Sequence, residues 1–265
     1  MPQKSIAELF NFKGKTAIVT GGSMGIGYGI VKRLAEAGAN VVIADIAEKV
    51  GEEKAQKLTR QGRPVIFVKT DVSSEKEVEN LINQTVKKFN GLDILINNAG
   101  IFPSMPVMEM DLALWEKIQA VNQRGVFLMS REAAKVMVKN KSGNIINIAS
   151  IDALHPSMVG LAAYDTSKHG VWGFTKNFAL EVANLGIRVN AIAPGSISTE
   201  GTAAMVKDLS TEQQKAIMET FNAKIPMGRS GQPDEIGTVV LFLASEASSY
   251  MTGSIVVVDG GVLLS

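Results

Sequence analysis

Short apolar, β-branched runs recur at 16–20, 41–44, 65–68, 92–96, 145–149, 187–193 and 255–258, and longer stretches with helical spacing separate them. Most of the runs are apolar enough to be buried on both faces, as parallel strands are. Ile26, Ile30 and Leu34 share one face ahead of Gly38, and Val78, Leu81, Ile82, Thr85 and Val86 repeat at three and four residues ahead of Gly91. A further helix opening near Pro233 carries Ile236, Val239, Val240 and Leu243. This alternation predicts an α/β fold with a doubly wound parallel sheet and helices on both faces. Such sheets bind ligands at the carboxyl ends of their strands. No repeat, low-complexity tract or linker interrupts the pattern. A length of 265 residues at 46% hydrophobic composition suits one large domain or at most two small ones, and the unbroken alternation is read as one domain over 1–265.

Composition removes several classes. A charged fraction of 20% with net charge +1 gives no electrostatic footprint for nucleic acid or an anionic membrane. Cysteine is absent, which rules out disulfides and thiolate chemistry. The first fifteen residues are mixed and polar, and no apolar run approaches membrane-spanning length. The expectation is a soluble, cytoplasmic protein with a small-molecule partner and no metal site.

The turn after the first strand reads Gly21-Gly22-Ser23-Met24-Gly25-Ile26-Gly27. Glycines let the backbone turn sharply and approach a ligand, and the free N–H groups that open the next helix favour a phosphate. Asp45 ends the second strand, 18 positions after Gly27. A carboxylate there can accept hydrogen bonds from the hydroxyls of an adenosine ribose. It would repel a 2′-phosphate, and no Arg or Lys stands at Ser23, Met24 or Ile46 to hold one. NAD is therefore favoured over NADP; the competing role for Asp45 is to cap the helix that starts near Ala47. Gly21-Gly22-Ser23-Met24-Gly25 also reads as the G-x-S-x-G elbow of α/β hydrolases. That reading lacks a late histidine, because His155 and His169 both lie mid-chain.

Tyr164 and Lys168 are four residues apart in a helical segment and share a face. An ammonium beside a phenol favours the phenolate, so Lys168 is expected to lower the Tyr164 pKa and fit it for proton exchange. Ser150 ends the fifth strand, Asn97-Asn98-Ala99-Gly100 ends the fourth, and Asn122 interrupts an apolar helix. A mid-helix asparagine is unfavourable without a purpose.

Taken together, TGGSMGIG at 20–27, Asp45, Asp71-Val72, NNAG at 97–100, Asn122, Ser150, Tyr164 with Lys168, Pro194-Gly195 and VDGG at 258–261 resemble the classical short-chain dehydrogenase/reductase family almost end to end. The resemblance implies a Rossmann-type sheet of seven parallel strands. It implies that Tyr164 exchanges the substrate proton and that Ser150 hydrogen-bonds the substrate oxygen. Lys168 would hold the nicotinamide ribose, and Asn122 would hold a relay water through its local backbone. It further implies cofactor contacts from Gly21, Ser23, Met24, Gly25, Ile26, Gly27, Asp45 and Ile46. Asp71 and Val72 would meet the adenine, Asn98, Ala99 and Gly100 the ribose, and Pro194, Gly195, Ile197 and Thr199 the nicotinamide end. The implied reaction is hydride transfer between NAD(H) and a secondary alcohol or ketone, such as a sugar, polyol, steroid or simple alcohol. The alternatives are a 3-oxoacyl thioester reductase or a non-enzymatic NAD sensor.

Ser150 and Tyr164 lie 14 positions apart, one more than the family pattern, so the loop IDALHPSMVGLAA must bulge. Its Asp152 and His155 are candidates to orient a polyhydroxylated substrate or to satisfy the loop itself. The amphipathic segment at about 196–228 is the expected substrate lid. Met105, Met108 and Met110 are candidates for the facing wall. A homotetramer is implied, with contacts from 112–139, 160–185 and the terminal VDGG.

Overall fold

A computed structural model describes residues 4–204 and 210–265. Its strands are β1 Thr16–Thr20, β2 Asn40–Asp45, β3 Val65–Lys69, β4 Ile94–Asn97, β5 Gly143–Ile148, β6 Ile187–Pro194 and β7 Ile255–Val258. They form one seven-stranded sheet in the order β3-β2-β1-β4-β5-β6-β7, with every pairing parallel. Each expected strand is present, with ends moved by at most two residues.

After a short helix α1 (Ile6–Leu9), the helices are α2 Gly25–Glu36, α3 Glu48–Arg60, α4 Glu75–Phe89, α5 Leu112–Gln119, α6 Gly125–Met137, α7 Ala162–Val182, α8 Glu200–Ala204, α9 Thr211–Ala223 and α10 Pro233–Ala244. Alternate residues of each central strand feed two cores. Ala17 and Val19 of β1 join Val41, Ile43, Ile94 and Ile96 beneath Ile30 and Leu34 of α2, Leu58 of α3 and Ile236 and Val240 of α10. Ile18 joins Val42 and Leu95 beneath Leu81 of α4, Met129 of α6 and Val182 of α7. This period-two division is why the strands read as continuous apolar runs.

Local signals fix the helix ends. Asp111 caps α5 by accepting from the Leu114 N–H at 2.7 Å, Asn90 closes α4 in the left-handed region, and Pro233 opens α10. The chain runs outward from β1 through β2 to β3, then crosses back to place β4 on the other side of β1. The connections that leave the carboxyl ends of β1 and β4 therefore run to opposite faces of the sheet and leave the crevice that a doubly wound sheet offers a ligand. Among the described residues, no helix is long and apolar enough to cross a membrane. Residues 205–209 of the expected lid lie outside the described residues.

Candidate active site

The glycine turn joins β1 to α2 at the crevice. Gly21 has φ +62°, and a Cβ on Gly27 would lie 2.0 Å from the Gly21 carbonyl oxygen and 2.6 Å from Asn98 Nδ2. Only glycine allows this closeness. Thr20 stitches the turn to the end of β4: its hydroxyl accepts from the N–H groups of Asn98 and Ala99, both at 3.0 Å. Asn98 Nδ2 returns two hydrogen bonds to the carbonyls of Thr20 and Gly21, at 2.9 and 3.1 Å. Gly100 follows, and a Cβ there would come within 3.7 Å of Lys168 Nζ.

The first turn of α2 already receives an anion from the chain itself. The Gly25 N–H donates to Glu200 Oε2 at 2.9 Å. A carboxylate standing at a helix N-terminus marks the place where a phosphate would be favoured. Thr199 lies against the same turn, its Cβ 3.3 Å from a Cβ built on Gly25. Asp45 makes both contacts considered for it: Oδ1 accepts from the Ala47 N–H and Oδ2 from the Ser23 N–H, each at 3.0 Å. A carboxylate has about four acceptor positions, so the two protein contacts leave room for two ribose hydroxyls. The glycine cradle, the anion position and these acceptors fit a dinucleotide.

Ser23 departs from expectation. Its backbone N–H faces Asp45, but its hydroxyl is fully buried without a partner. A Cβ on Gly51 of α3 would come within 2.8 Å of that oxygen. The side chain therefore packs beneath α3 instead of facing a phosphate, and it is inaccessible as a hydrolase nucleophile. Met24 and Ile46 are exposed, and Ile26 is partly buried against the core. Asp71 Oδ1 accepts from the Ser73 N–H and hydroxyl at 2.8 and 2.7 Å, while Val72 packs on Gly125.

Ser150, Tyr164 and Lys168 meet beyond the ends of β4 and β5. Ser150 caps a 3₁₀ turn, Ile151–Ala153, and its hydroxyl donates to Asp152 Oδ2 at 2.8 Å. Tyr164 and Lys168 project from the first turns of α7. Lys168 is buried; its ammonium donates to the Ile148 carbonyl at 2.8 Å and lies 5.5 Å from the Tyr164 ring centroid. Phe102 meets the same ring edge-on, with centroids 6.1 Å apart.

The electrostatics correct one expectation. With only the chain's own groups present, the Tyr164 phenol is pushed well above its ordinary value, not below it. Burial is the largest cause, the Ser150 hydroxyl offsets it in part, and the charges of Asp152 and Asp165 add to it. Burial also lowers Lys168 from 10.5 to about 8, against the raising effect of Asp152. The ammonium is aimed at a backbone carbonyl, so it does not stabilise the phenolate in this arrangement.

Asn122 shows its purpose. It lies in a π turn, Ala120–Arg124, between α5 and α6, and its side chain is buried. Oδ1 accepts from the Ile101 N–H and Nδ2 donates to the Ile101 carbonyl, both at 2.8 Å. Nδ2 also donates to the Ser167 hydroxyl at 3.0 Å. Asn122 thus ties the segment after NNAG to α7. A buried network missed in the sequence supports the same floor: Asn97 Nδ2 donates to Ser130 and Asn147, and Asn147 Nδ2 to Thr175. Its visible signal is an asparagine at the carboxyl end of each of two apolar strands, Asn97 in β4 and Asn147 in β5.

The remaining candidates divide. The expected bulge between Ser150 and Tyr164 is made by the 3₁₀ turn and by Gly160 at φ +89°. Asp152 is buried on Ser150, whereas His155 is exposed with Nδ1 2.9 Å from the Pro156 carbonyl. Met108 is fully exposed and lines no wall; Met105 and Met110 are partly buried. Pro194 ends β6, and Gly195 passes so close to Asp259 that a Cβ would lie 2.8 Å from its Cα. Ile197 is buried and bridges to Gly231.

Comparison with known proteins agrees with this geometry. A family model described as enoyl-(acyl carrier protein) reductase matches residues 21–263. The chain is 41% identical over 249 residues to a 3-oxoacyl-[acyl-carrier-protein] reductase of Chlamydia pneumoniae, covering 94% of this chain and 97% of that one. The crystal structure of gox2181 superposes with a TM-score of 0.91 at 37% identity, over 97% of this chain and 99% of that chain. A protein provisionally described as an NAD(P)-dependent gluconate 5-dehydrogenase from Beutenbergia cavernae, solved with NADP at low occupancy, gives 0.88 at 35% identity, over 97% of this chain and 100% of that one. The chain belongs to the classical short-chain dehydrogenase/reductase family, whose members are oxidoreductases that bind a nicotinamide cofactor.

Proposed function

We propose that the chain, acting as one domain, transfers a hydride between NAD(H) and a secondary alcohol or ketone, with Tyr164 as general acid/base. The observation that carries this reading is the meeting of Ser150, Tyr164 and Lys168 beyond the strand ends, on the sheet edge that also presents Asp45. Gly21, Ser23 by its backbone, Met24, Gly25, Ile26, Gly27, Asp45, Ile46, Asp71, Val72, Asn98, Ala99, Gly100, Tyr164, Lys168, Pro194, Gly195, Ile197 and Thr199 would hold the cofactor. When bound, that cofactor supplies or accepts the hydride.

Each residue then has a defined task. In oxidation the Tyr164 phenolate oxygen takes the alcohol's hydroxyl proton as the carbon gives up its hydride. In reduction the phenol returns that proton to the carbonyl oxygen. Ser150 Oγ holds the substrate oxygen beside Tyr164. Lys168, whose ammonium donates to the Ile148 carbonyl, would hold the nicotinamide ribose, and its charge there would lower the proton affinity of the phenol. Asn122 keeps Ile101 and Ser167 in register, so that local backbone can hold a relay water. The described parts of the expected lid, 196–204 and 210–228, would cover the substrate.

A second reading, reduction of a 3-oxoacyl thioester, draws on the 41% identity to the Chlamydia pneumoniae reductase. The deciding experiment follows absorbance at the NADH band against sugars, polyols, secondary alcohols, ketones and a 3-oxoacyl thioester, with NADH and NADPH in parallel. Turnover of an alcohol or simple ketone with NAD(H) supports the first reading, and turnover of the thioester alone supports the second. NADH binding without turnover of any member would support a nucleotide sensor. We further propose a cytoplasmic homotetramer, whose contact surfaces would bury the exposed Phe127, Leu180 and Val257; sedimentation equilibrium at the mass of a monomer would contradict it.

A further inference from the structure

Asp152 is a buried carboxylate that the proposed chemistry does not use. It stands two residues after Ser150, and both side chains are almost closed to solvent, at 7% and 6% exposure. Two hydrogen bonds join them: Ser150 Oγ donates to Asp152 Oδ2 at 2.8 Å, and the Asp152 N–H donates to Ser150 Oγ at 3.1 Å. The other carboxylate oxygen, Oδ1, is buried with no partner.

A serine hydroxyl has one proton and two lone pairs. Here the proton goes to Asp152 Oδ2, and one lone pair receives the Asp152 N–H. The remaining lone pair lies toward the Tyr164 phenol, which is hydrogen-bonded to Ser150. A ligand oxygen that takes the phenol's place on Ser150 therefore meets it as an acceptor. A secondary alcohol can donate to that lone pair, whereas a ketone oxygen can only accept. To serve a ketone, Ser150 must first withdraw its proton from a buried carboxylate and break a charge-assisted hydrogen bond.

We propose that Asp152 is a positioning residue that fixes the hydrogen-bond polarity of Ser150, presenting its oxygen as an acceptor and so favouring the alcohol over the ketone in the bound ground state. This rests on the reading of Ser150 and Tyr164 as the reacting pair. The reaction's equilibrium constant is untouched, so tighter alcohol binding is matched by compensating changes in turnover in the two directions.

The carboxylate also acts at a distance. The groups that face the Tyr164 phenol are Ser150 and Asp152 from the β5 end and Asp165 and Lys168 from α7. The negative charge of Asp152 holds the proton on the phenol. Removing that charge moves the acid limb of alcohol oxidation, along which the rate rises as Tyr164 loses its proton, to lower pH. A residue that merely packs the loop would not do this.

The test uses the full chain, with one alcohol/ketone couple that the wild type interconverts, and four proteins: wild type, Asp152→Ala, Asp152→Asn and Ser150→Ala. In Asp152→Ala the ratio of ketone KM to alcohol KM should fall about tenfold, the weight of one charge-assisted hydrogen bond. Asp152→Asn keeps an amide oxygen to accept from Ser150, so its KM ratio should stay within about threefold of wild type. Its oxidation limb should still move to lower pH. If Ser150→Ala cripples turnover while Asp152→Ala leaves both the KM ratio and the limb in place, the inference about Asp152 is overturned and the site reading stands. If Ser150→Ala turns over like wild type, the site reading itself fails and the inference falls with it. Should Asp152→Ala not fold, an unmoved limb in Asp152→Asn overturns the inference alone.

Discussion

Replacing Asp45 with asparagine should erase the discrimination between NADH and NADPH. The Asp45 carboxylate is held by two backbone N–H groups, from Ser23 and Ala47, each at 3.0 Å. Two of its roughly four acceptor positions remain for the hydroxyls of a cofactor ribose. A hydrogen bond to a charged group contributes about 1.5–3 kcal/mol, and about 1.4 kcal/mol is a factor of ten in binding. Loss of one such bond therefore weakens NADH about tenfold to a hundredfold. A 2′-phosphate would bring a second negative charge against the carboxylate. Two unit charges about 4 Å apart repel by about 4 kcal/mol at an effective dielectric of about 20. The wild type should accordingly bind NADH at least about a hundredfold more tightly than NADPH. Asp45→Asn keeps one oxygen to hold the turn but removes the charge. Fluorescence titration of both cofactors should show NADH weakened, NADPH strengthened and the ratio reduced to within about tenfold, with a melting curve as control for the turn. A wild type that binds NADPH as tightly as NADH, or a ratio unchanged in the variant, refutes the argument.

Two further outcomes follow from the site. Glu200 occupies the Gly25 N–H that a phosphate would use, so Glu200→Gln should tighten NADH binding several-fold in the same titration; weaker binding would mean that Glu200 supports the cofactor instead of competing with it. Lys168 is buried with its pKa lowered from 10.5 to about 8. A depressed lysine contributes stability that is fully present above pH 10.5 and is lost as pH falls through about 8. The stability difference between Lys168→Met and wild type should therefore move in the variant's favour as pH falls from 10.5 to 8, by roughly 3 kcal/mol from the size of the shift. The difference in melting temperature should change between pH 8 and 10.5; a constant difference would contradict the shift.

What the sequence revealed and what it hid have physical reasons. The strands were legible because parallel strands buried on both faces leave continuous apolar runs, and β1 and β7 match their expected limits. The site was legible where chemistry sits at strand ends, at Asp45, Ser150 and Asn98. Asn122 announced itself as a polar residue in an apolar helix, but the π turn around it follows from backbone geometry that residue type does not encode. The orientation of Ser23 depended on Gly51 of another helix. The partners Asn97, Ser130, Asn147 and Thr175 are brought together only by the sheet and two helices, across up to 50 positions of chain. Asp152 was visible as a polar loop residue, yet its commitment to Ser150 required the 3₁₀ turn. The direction of the Tyr164 shift depended on burial and on where the Lys168 ammonium points.

The central claim is that Tyr164 moves the substrate proton. Its most direct test is Tyr164→Phe, measured by single-turnover absorbance at the NADH band with a substrate the wild type accepts, alongside NADH titration. Phenylalanine keeps the ring against Phe102 and removes only the hydroxyl. The account predicts hydride transfer slowed by at least about a hundredfold, the lower range for losing a positioned general acid/base, with NADH affinity within a few-fold of wild type. Hydride transfer at the wild-type rate would contradict it.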